Sequence, residues 1–214
     1  MGELDTAAPE AEPAIATELF GDRIEQAQAY TADLVGRGEE LGLIGPLELP
    51  RIWTRHVINC ALVAPLLRPG RVGDIGSGAG LPGIVLAIAR PDVDFVLIEP
   101  MERRVLWLEE QRVALGLSNV TVLRARAEDV RDVPPLDQVT ARAVSAFGKL
   151  IPLCVPLLRP GGEMVLMKGA NATREIEAAE KAIRKYKLRD VEVVVLGEEL
   201  RIDVTRVILA RTTS

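Results

Sequence analysis

Val72-Gly-Asp-Ile-Gly-Ser-Gly-Ala-Gly-Leu-Pro-Gly83 is the stretch on which the fold turns. A short apolar run carrying one acid, Asp74, opens into alternating glycines at Gly76, Gly78 and Gly80. The apolar, alanine-rich segment 84–89 follows and reads as a helix. Strand, glycine loop and helix let a backbone approach a nucleotide-like ligand closely and point helix N–H groups at it. An acid at the end of the next strand indicates a ribose, and Glu99 closes the run Asp94-Phe-Val-Leu-Ile-Glu.

Two ligands compete for this loop. Gly78-Ala-Gly80-Leu-Pro-Gly83 matches the dinucleotide pattern G-x-G-x-x-G, with Glu99 near the spacing of a ribose acid. The other reading is an S-adenosylmethionine loop, with an acid in the strand just before the first glycine. Asp74 favours the methyl donor. A dinucleotide strand is usually apolar there, whereas a carboxylate can hold the loop and suits a ligand bearing an ammonium and a sulfonium. The plainest alternative is a tight turn that uses glycine only for positive φ.

Outward from the loop, the pattern alternates between apolar strands and helices. Strands are expected at 71–75, 94–99, 120–125, 137–142, 163–168, 191–197 and 203–210. Helices are expected at 15–40, 51–67, 82–90, 101–116, 147–158 and 172–186. This alternation argues for a mostly parallel seven-stranded sheet covered on both faces. The last two strands are joined by a turn at Gly197-Glu-Glu, so the final one should run antiparallel. That ending leaves no room for the second mononucleotide half of an NAD-dependent oxidoreductase. The expected organisation is an acidic disordered tail at 1–14, a helical cap at 15–67 and a Rossmann-like domain at 68–214.

The 214 residues suffice for a real core, and no apolar run is long enough to span a membrane. No basic segment precedes an apolar stretch at the N-terminus, so no secretory signal is expected. Cys60 and Cys154 have neither metal spacing nor a disulfide framework and read as core, and His56 is the one histidine. A reduced cytoplasm without a zinc site fits that inventory. Net charge is −5, but residues 1–25 hold seven acids against Arg23 alone. The rest of the chain is near neutral, so local cationic patches decide what it binds.

In an open α/β sheet, ligands sit beyond the C-terminal ends of the strands. The residues there are Asp74 with its loop, Glu99, Ala127-Glu128, Arg142 and Lys168. Together with Arg55-His-Val-Ile-Asn59 they resemble the RsmG (GidB) family of 16S rRNA (guanine-N7)-methyltransferases. The matching pieces, in family order, are Arg55-His56-x-x-Asn59, Asp74 to Gly83, Glu99 with Arg103-Arg104-Val105-x-Trp-Leu108, Ala127-Glu128, Thr140-Ala-Arg142-Ala143 and Met167-Lys168-Gly169. Family members commonly have Asn-Leu-Thr where this chain has Gly42-Leu43-Ile44, and often Asp at the positions of Asn59 and Glu99.

The resemblance implies a class I S-adenosylmethionine-dependent methyltransferase acting on the small ribosomal subunit, with donor contacts at Gly76, Leu81, Ala127, Glu128 and Arg142. Asp74, Gly78, Gly80 and Glu99 join them from the reading of the loop. Guanine N7 is a neutral lone pair, so methylating it needs no general base, no covalent cysteine and no metal. It needs positioning, which supplies roughly 7–11 kcal/mol of barrier lowering. Arg142, Lys168 and His56 are the expected catalytic side chains. Arg55, His56, Arg103, Arg104, Arg142 and Lys168 are the expected RNA contacts. Trp53, Phe147 and Trp107 are the aromatics expected to stack on bases. A monomer is expected, and the rivals are a small-molecule or protein methyltransferase and a non-enzymatic RNA-binding module.

Overall fold

The computed structural model of the protein describes residues 8–213 except positions 132 and 201. Seven strands form one sheet: β1 (Gly70–Ile75), β2 (Val93–Ile98), β3 (Val120–Leu123), β4 (Leu136–Arg142), β5 (Leu158–Lys168), β6 (Arg189–Leu196) and β7 (Thr205–Arg211). Their spatial order is β3-β2-β1-β4-β5-β7-β6. Strands β1 to β5 pair in parallel, and β7 is antiparallel to both β5 and β6. The order reverses between β1 and β4, which opens a crevice beyond their C-terminal ends.

Eight α-helices accompany the sheet among the described residues: α1 (Ile15–Phe20), α2 (Ile24–Arg37), α3 (Asn59–Ala61), α4 (Gly83–Ala89), α5 (Glu102–Ala114), α6 (Phe147–Cys154), α7 (Ala172–Ala178) and α8 (Glu180–Lys185). Several are shorter than their sequence pattern predicts. The helix expected over 15–40 breaks at Gly21, which takes a positive φ of 52°. The one expected over 172–186 breaks at Ala179, whose side chain is buried.

The segment 51–67 departs furthest from a regular helix. A 3₁₀ turn at Pro46–Arg51 leads into a π-helical stretch, Ile52–Ile58, then α3 and a second 3₁₀ turn at Ala64–Leu66. Pro50 and Pro65 flank the stretch and lack the N–H that a continuous α-ladder requires. β5 begins at Leu158, five residues before the expected 163, and pairs there with Leu136 across a register shift.

The N-terminal elements share a core with one face of the sheet. Ala16, Phe20, Tyr30, Leu34 and Ile52 lie in the same buried cluster as Val72, Ile84, Leu97 and Trp107. The opposite face is a second cluster, where Phe147, Leu150 and Ile151 of α6 meet Val139, Leu166 and Ile208. Residues 1–7 of the expected tail lie outside the described residues. Farther along it, the Glu10 N–H donates to the Leu49 carbonyl, and Gln28 donates to Glu12.

Candidate active site

The glycine loop is fastened from four directions. Gly76 and Ser77 donate their N–H groups to the carbonyl of Ile98, at 2.8 and 3.3 Å. Gly83 donates to Asp74 Oδ2 at 3.0 Å, which ties the first residue of α4 back to β1. Gly78 donates to Glu99 Oε2 at 2.9 Å. The Ala79 carbonyl accepts both the Tyr30 hydroxyl at 3.0 Å and the Trp107 indole N–H at 2.8 Å.

The glycines serve different ends. A Cβ on Gly76 would lie 2.9 Å from Val144 Cγ2, and one on Gly80 would lie 2.5 Å from Ile84 Cγ1. Those two are demanded by packing as well as by positive φ. A Cβ on Gly78 would meet only the Gly76 carbonyl, at 3.7 Å. Its positive φ of 57° therefore exposes a bare stretch of backbone that a ligand can approach.

The acids around the loop fit a cationic adenosyl ligand. Asp74 is fully buried, and its Oδ1 has no hydrogen-bond partner among the described residues. Burial pushes its carboxyl up to about 7. Glu99 is buried too, with Oε1 taking the Met101 N–H at 2.9 Å. Each Glu99 oxygen accepts one backbone N–H and has a further lone pair, so the group can still accept from two ribose hydroxyls. Leu81 is half-buried against the core beside the loop, and Ala127 and Glu128 begin a 3₁₀ turn after β3. These residues would hold S-adenosylmethionine, which supplies an electrophilic methyl group when bound.

Beside the loop lies a cavity of about 750 Å³ beyond the C-terminal ends of β4 and β5. Its cations are Arg55, Arg142, Lys168 and Arg206, against the acids Glu175 and Asp203. Val144 lines this cavity and also packs on Gly76, so the two sites share a wall. The wall is strained: Ala143 takes a φ of 55°, which costs on the order of 1–3 kcal/mol for a residue with a Cβ.

Lys168 is held, not free. Its Nζ lies 2.6 Å from the Ser145 carbonyl and 2.9 Å from Glu175 Oε2. Glu175 Oε2 also accepts the Phe147 N–H at 2.6 Å. Arg142 donates to the His56 ring at 2.8 Å and to the Arg55 carbonyl at 3.2 Å. The other ring nitrogen of His56 meets Glu48 Oε2 at 2.8 Å. Both nitrogens are thus occupied, which leaves neither for a phosphate. Burial, aided by Arg142, lowers the imidazole to about 4, so the ring is neutral at physiological pH.

Of the side chains named from sequence, Arg55, Arg142 and Lys168 come together in the cavity, and His56 stands behind Arg142. Arg103 and Arg104 sit at the start of α5 and do not line it. Arg104 Nη1 lies 4.0 Å from Glu99 Oε2, while Arg103 is exposed beside Gly42. The three aromatics expected to stack on bases are a correction: Trp53, Phe147 and Trp107 are 6 %, 0 % and 1 % exposed and fill the core. Their apolar rings gain more from burial than from the surface, and Trp107 spends its only donor on Ala79.

Sequence reasoning missed Glu48, Tyr30, Val144, Glu175 and Arg206. None belongs to a motif. The one available signal was for Arg206, which sits at the start of the antiparallel strand and pairs with Lys168 in register. That pairing puts both side chains on one face of the sheet.

Residues 23–204 match the profile of the GidB family, described as rRNA small subunit methyltransferase G. A protein of that name from Clavibacter michiganensis subsp. michiganensis is 72 % identical over 202 residues, covering 94 % of this chain and 96 % of the relative. Another from Arthrobacter sp. (strain FB24) is 53 % identical over 199 residues, covering 92 % of both. Among solved structures, the O-methyltransferase TomG from Streptomyces achromogenes, in complex with SAM, superposes with a TM-score of 0.58 at 17 % identity. It covers 89 % of this chain and 90 % of that one. M. jannaschii TYW2 in complex with AdoMet gives 0.55 at 23 % identity, covering 73 % and 74 %. The structural likenesses carry the fold alone.

Proposed function

The chain belongs to the rRNA small subunit methyltransferase G family, and from that premise we propose that it methylates N7 of a guanine in 16S rRNA, with S-adenosylmethionine as donor. The observation that carries this reading is the cavity beside the glycine loop. Among the described residues its four cations outnumber its two acids, which suits a nucleotide, whose phosphate is anionic and whose guanine offers O6 as an acceptor beside the reacting N7.

Asp74, Gly76, Gly78, Gly80, Leu81, Glu99, Ala127 and Glu128 hold the donor. Arg142 lines the cavity at the end of β4; the cap takes its Nη groups, and its Nε–H can donate to guanine O6 or a phosphate. Lys168 and Arg206 add charge from adjacent strands, and Arg55 adds it from the π-helical stretch. The N7 lone pair lies in the plane of the ring and carries no proton. The side chains therefore only align the purine and exclude water. The short supply of exposed aromatics supports a substrate already shaped by the ribosomal particle, with the base splayed from its stack.

We infer that the protein acts in the cytoplasm as a monomer. Both cysteines are free and buried, as suits a reducing compartment. Among the described residues no helix is long and apolar enough to cross a membrane. The test is transfer of labelled methyl groups to small subunits from cells lacking the protein, with mass mapping of the modified nucleotide. A single new 7-methylguanine in 16S rRNA is expected. Label on protein or small molecules, with none in rRNA, overturns the reading.

A further inference from the structure

Glu48 lies outside the cavity, yet one cavity cation, Arg55, leans on it directly and a second, Arg142, through His56. Oε2 of Glu48 takes the Arg55 Nε at 3.2 Å and the His56 Nε2 at 2.8 Å, while Oε1 takes Arg51 at 3.1 Å. Through His56 the chain of contacts reaches Arg142, since Nη2 of Arg142 lies 2.8 Å from Nδ1 of the ring. The other contacts of Arg142 are longer, at 3.2 to 3.5 Å, and end on the Arg55 and His56 carbonyls and the Cys60 sulfur.

Donor accounting assigns the proton. A guanidinium has N–H groups and no acceptor, so at the 2.8 Å contact Arg142 donates and Nδ1 must carry a bare lone pair. The single proton of the neutral ring then sits on Nε2 and points at Glu48, which, as a carboxylate, can only accept. The opposite tautomer sets an N–H against an N–H at Arg142 and leaves Glu48 facing a lone pair. The imidazolium sets two cations face to face. One state of three satisfies both neighbours, and Glu48 anchors the ring in it by accepting the Nε2 proton.

We propose that Glu48 is a positioning residue: it fixes the Nε2–H tautomer of His56, whose Nδ1 lone pair holds the Arg142 guanidinium in the site. The proposal rests on the reading of Arg142 as a group that meets donor or guanine. The charged groups facing the ring are Glu48 from the Pro46–Arg51 turn, Arg142 from β4 and Arg55 from the ring's own segment. Protonating Nδ1 would insert a hydrogen between ring and guanidinium and release Arg142, so the relay is closed at neutral pH and opens in acid.

His56 is the one histidine of the chain, so ¹⁵N-histidine labelling of the full protein yields a single imidazole signal pair. The expected spectrum at neutral pH shows a protonated Nε2 and a bare Nδ1. An Nδ1–H tautomer or an imidazolium overturns the proposal. In Glu48→Ala the ring loses its anchor at Nε2 and can turn away from Arg142, so the tautomers should mix and kcat should fall on the order of 100-fold, the scale of a misplacement of about 1 Å. In Glu48→Gln the amide carbonyl accepts the same proton, so the tautomer should persist and kcat should stay within about threefold. A Gln variant that keeps the tautomer but loses turnover overturns the proposal, and it decides the matter should the Ala variant fail to fold. Arg142→Ala separates the two levels. If it is inactive while a folded Glu48→Ala is fully active, the relay alone is wrong. If it retains full turnover, the reading of Arg142 is wrong and the relay falls with it.

Discussion

Glu99 Oε2 accepts the N–H of Gly78 across 2.9 Å, joining the loop after β1 to the end of β2. The acid that would receive ribose hydroxyls is therefore also a brace for the loop that would carry the rest of the donor. Its second oxygen braces Met101, at the start of α5.

Glu99→Ala should thus injure binding in two ways, by removing acceptors for the ribose and by orphaning the Gly78 N–H. A lost charge-assisted hydrogen bond costs about 1.5–3 kcal/mol, or roughly 10- to 150-fold in affinity. Titration calorimetry with S-adenosylhomocysteine should show a loss of that size. Unchanged affinity would remove Glu99 from the donor site.

Gly76→Ala should destabilise the fold by two separable effects. The added methyl would lie 2.9 Å from Val144, and φ at that position is 70°. Overpacking and left-handed backbone together cost about 2–5 kcal/mol. Urea denaturation of Gly76→Ala combined with Val144→Ala should recover the steric part, leaving about 1–2 kcal/mol from the backbone. If the double variant recovers nothing, the shared wall between loop and cavity is not where the clash arises.

The acid limb of stability should be masked in the native protein and exposed in Asp74→Asn. His56 is lowered to about 4 from 6.5, so between these values the unfolded chain binds the extra proton and stability falls as pH falls. Asp74 is raised from 3.8 to about 7, so over nearly the same window the folded chain binds the extra proton and stability falls as pH rises. The two slopes oppose each other. Removing the Asp74 titration should leave the His56 slope, at most about 1.4 kcal/mol per pH unit. Urea midpoints measured from pH 6.5 down to 4 in both proteins test this, and parallel curves would refute it.

Tyr30→Phe should loosen the loop without breaking it. The lost hydroxyl leaves the Ala79 carbonyl with the Trp107 indole as its remaining donor. A net loss of about 0.5–1.5 kcal/mol is expected. Adding Trp107→Phe should cost more than the sum of the single changes, because the buried carbonyl then has neither of these donors. Thermal melting of the four proteins in the cycle reads the coupling, and strict additivity would argue against a shared acceptor.

Much of the candidate site's geometry was legible because it is local. Asp74, Gly76, Gly78 and Gly80 lie within seven residues, and backbone geometry demands those residue types at that spacing. Glu99 and Arg142 followed from strand ends, which hydrophobic period locates well. The aromatics were misread because a ring's identity does not say which side of an amphipathic segment it occupies. His56 is expected at the RNA from the Arg55-His56-x-x-Asn59 motif, which does not show that its spatial neighbours are Glu48 and Arg142.

By itself the sequence determined the parallel sheet, the antiparallel last strand, the glycine loop and the acids that flank it. Each of these depends on short-range pattern: alternation along a strand, positive φ at glycine, or an acid one strand later. The tertiary structure alone decided the cavity beyond β4 and β5, the shared wall of Gly76 and Val144, and the chain of contacts from Glu48 through His56 to Arg142. Those groups come from the cap, β4, β5 and β7, 86 residues apart in the case of His56 and Arg142. Their meeting depends on packing the cap across one face of the sheet, which no local pattern encodes.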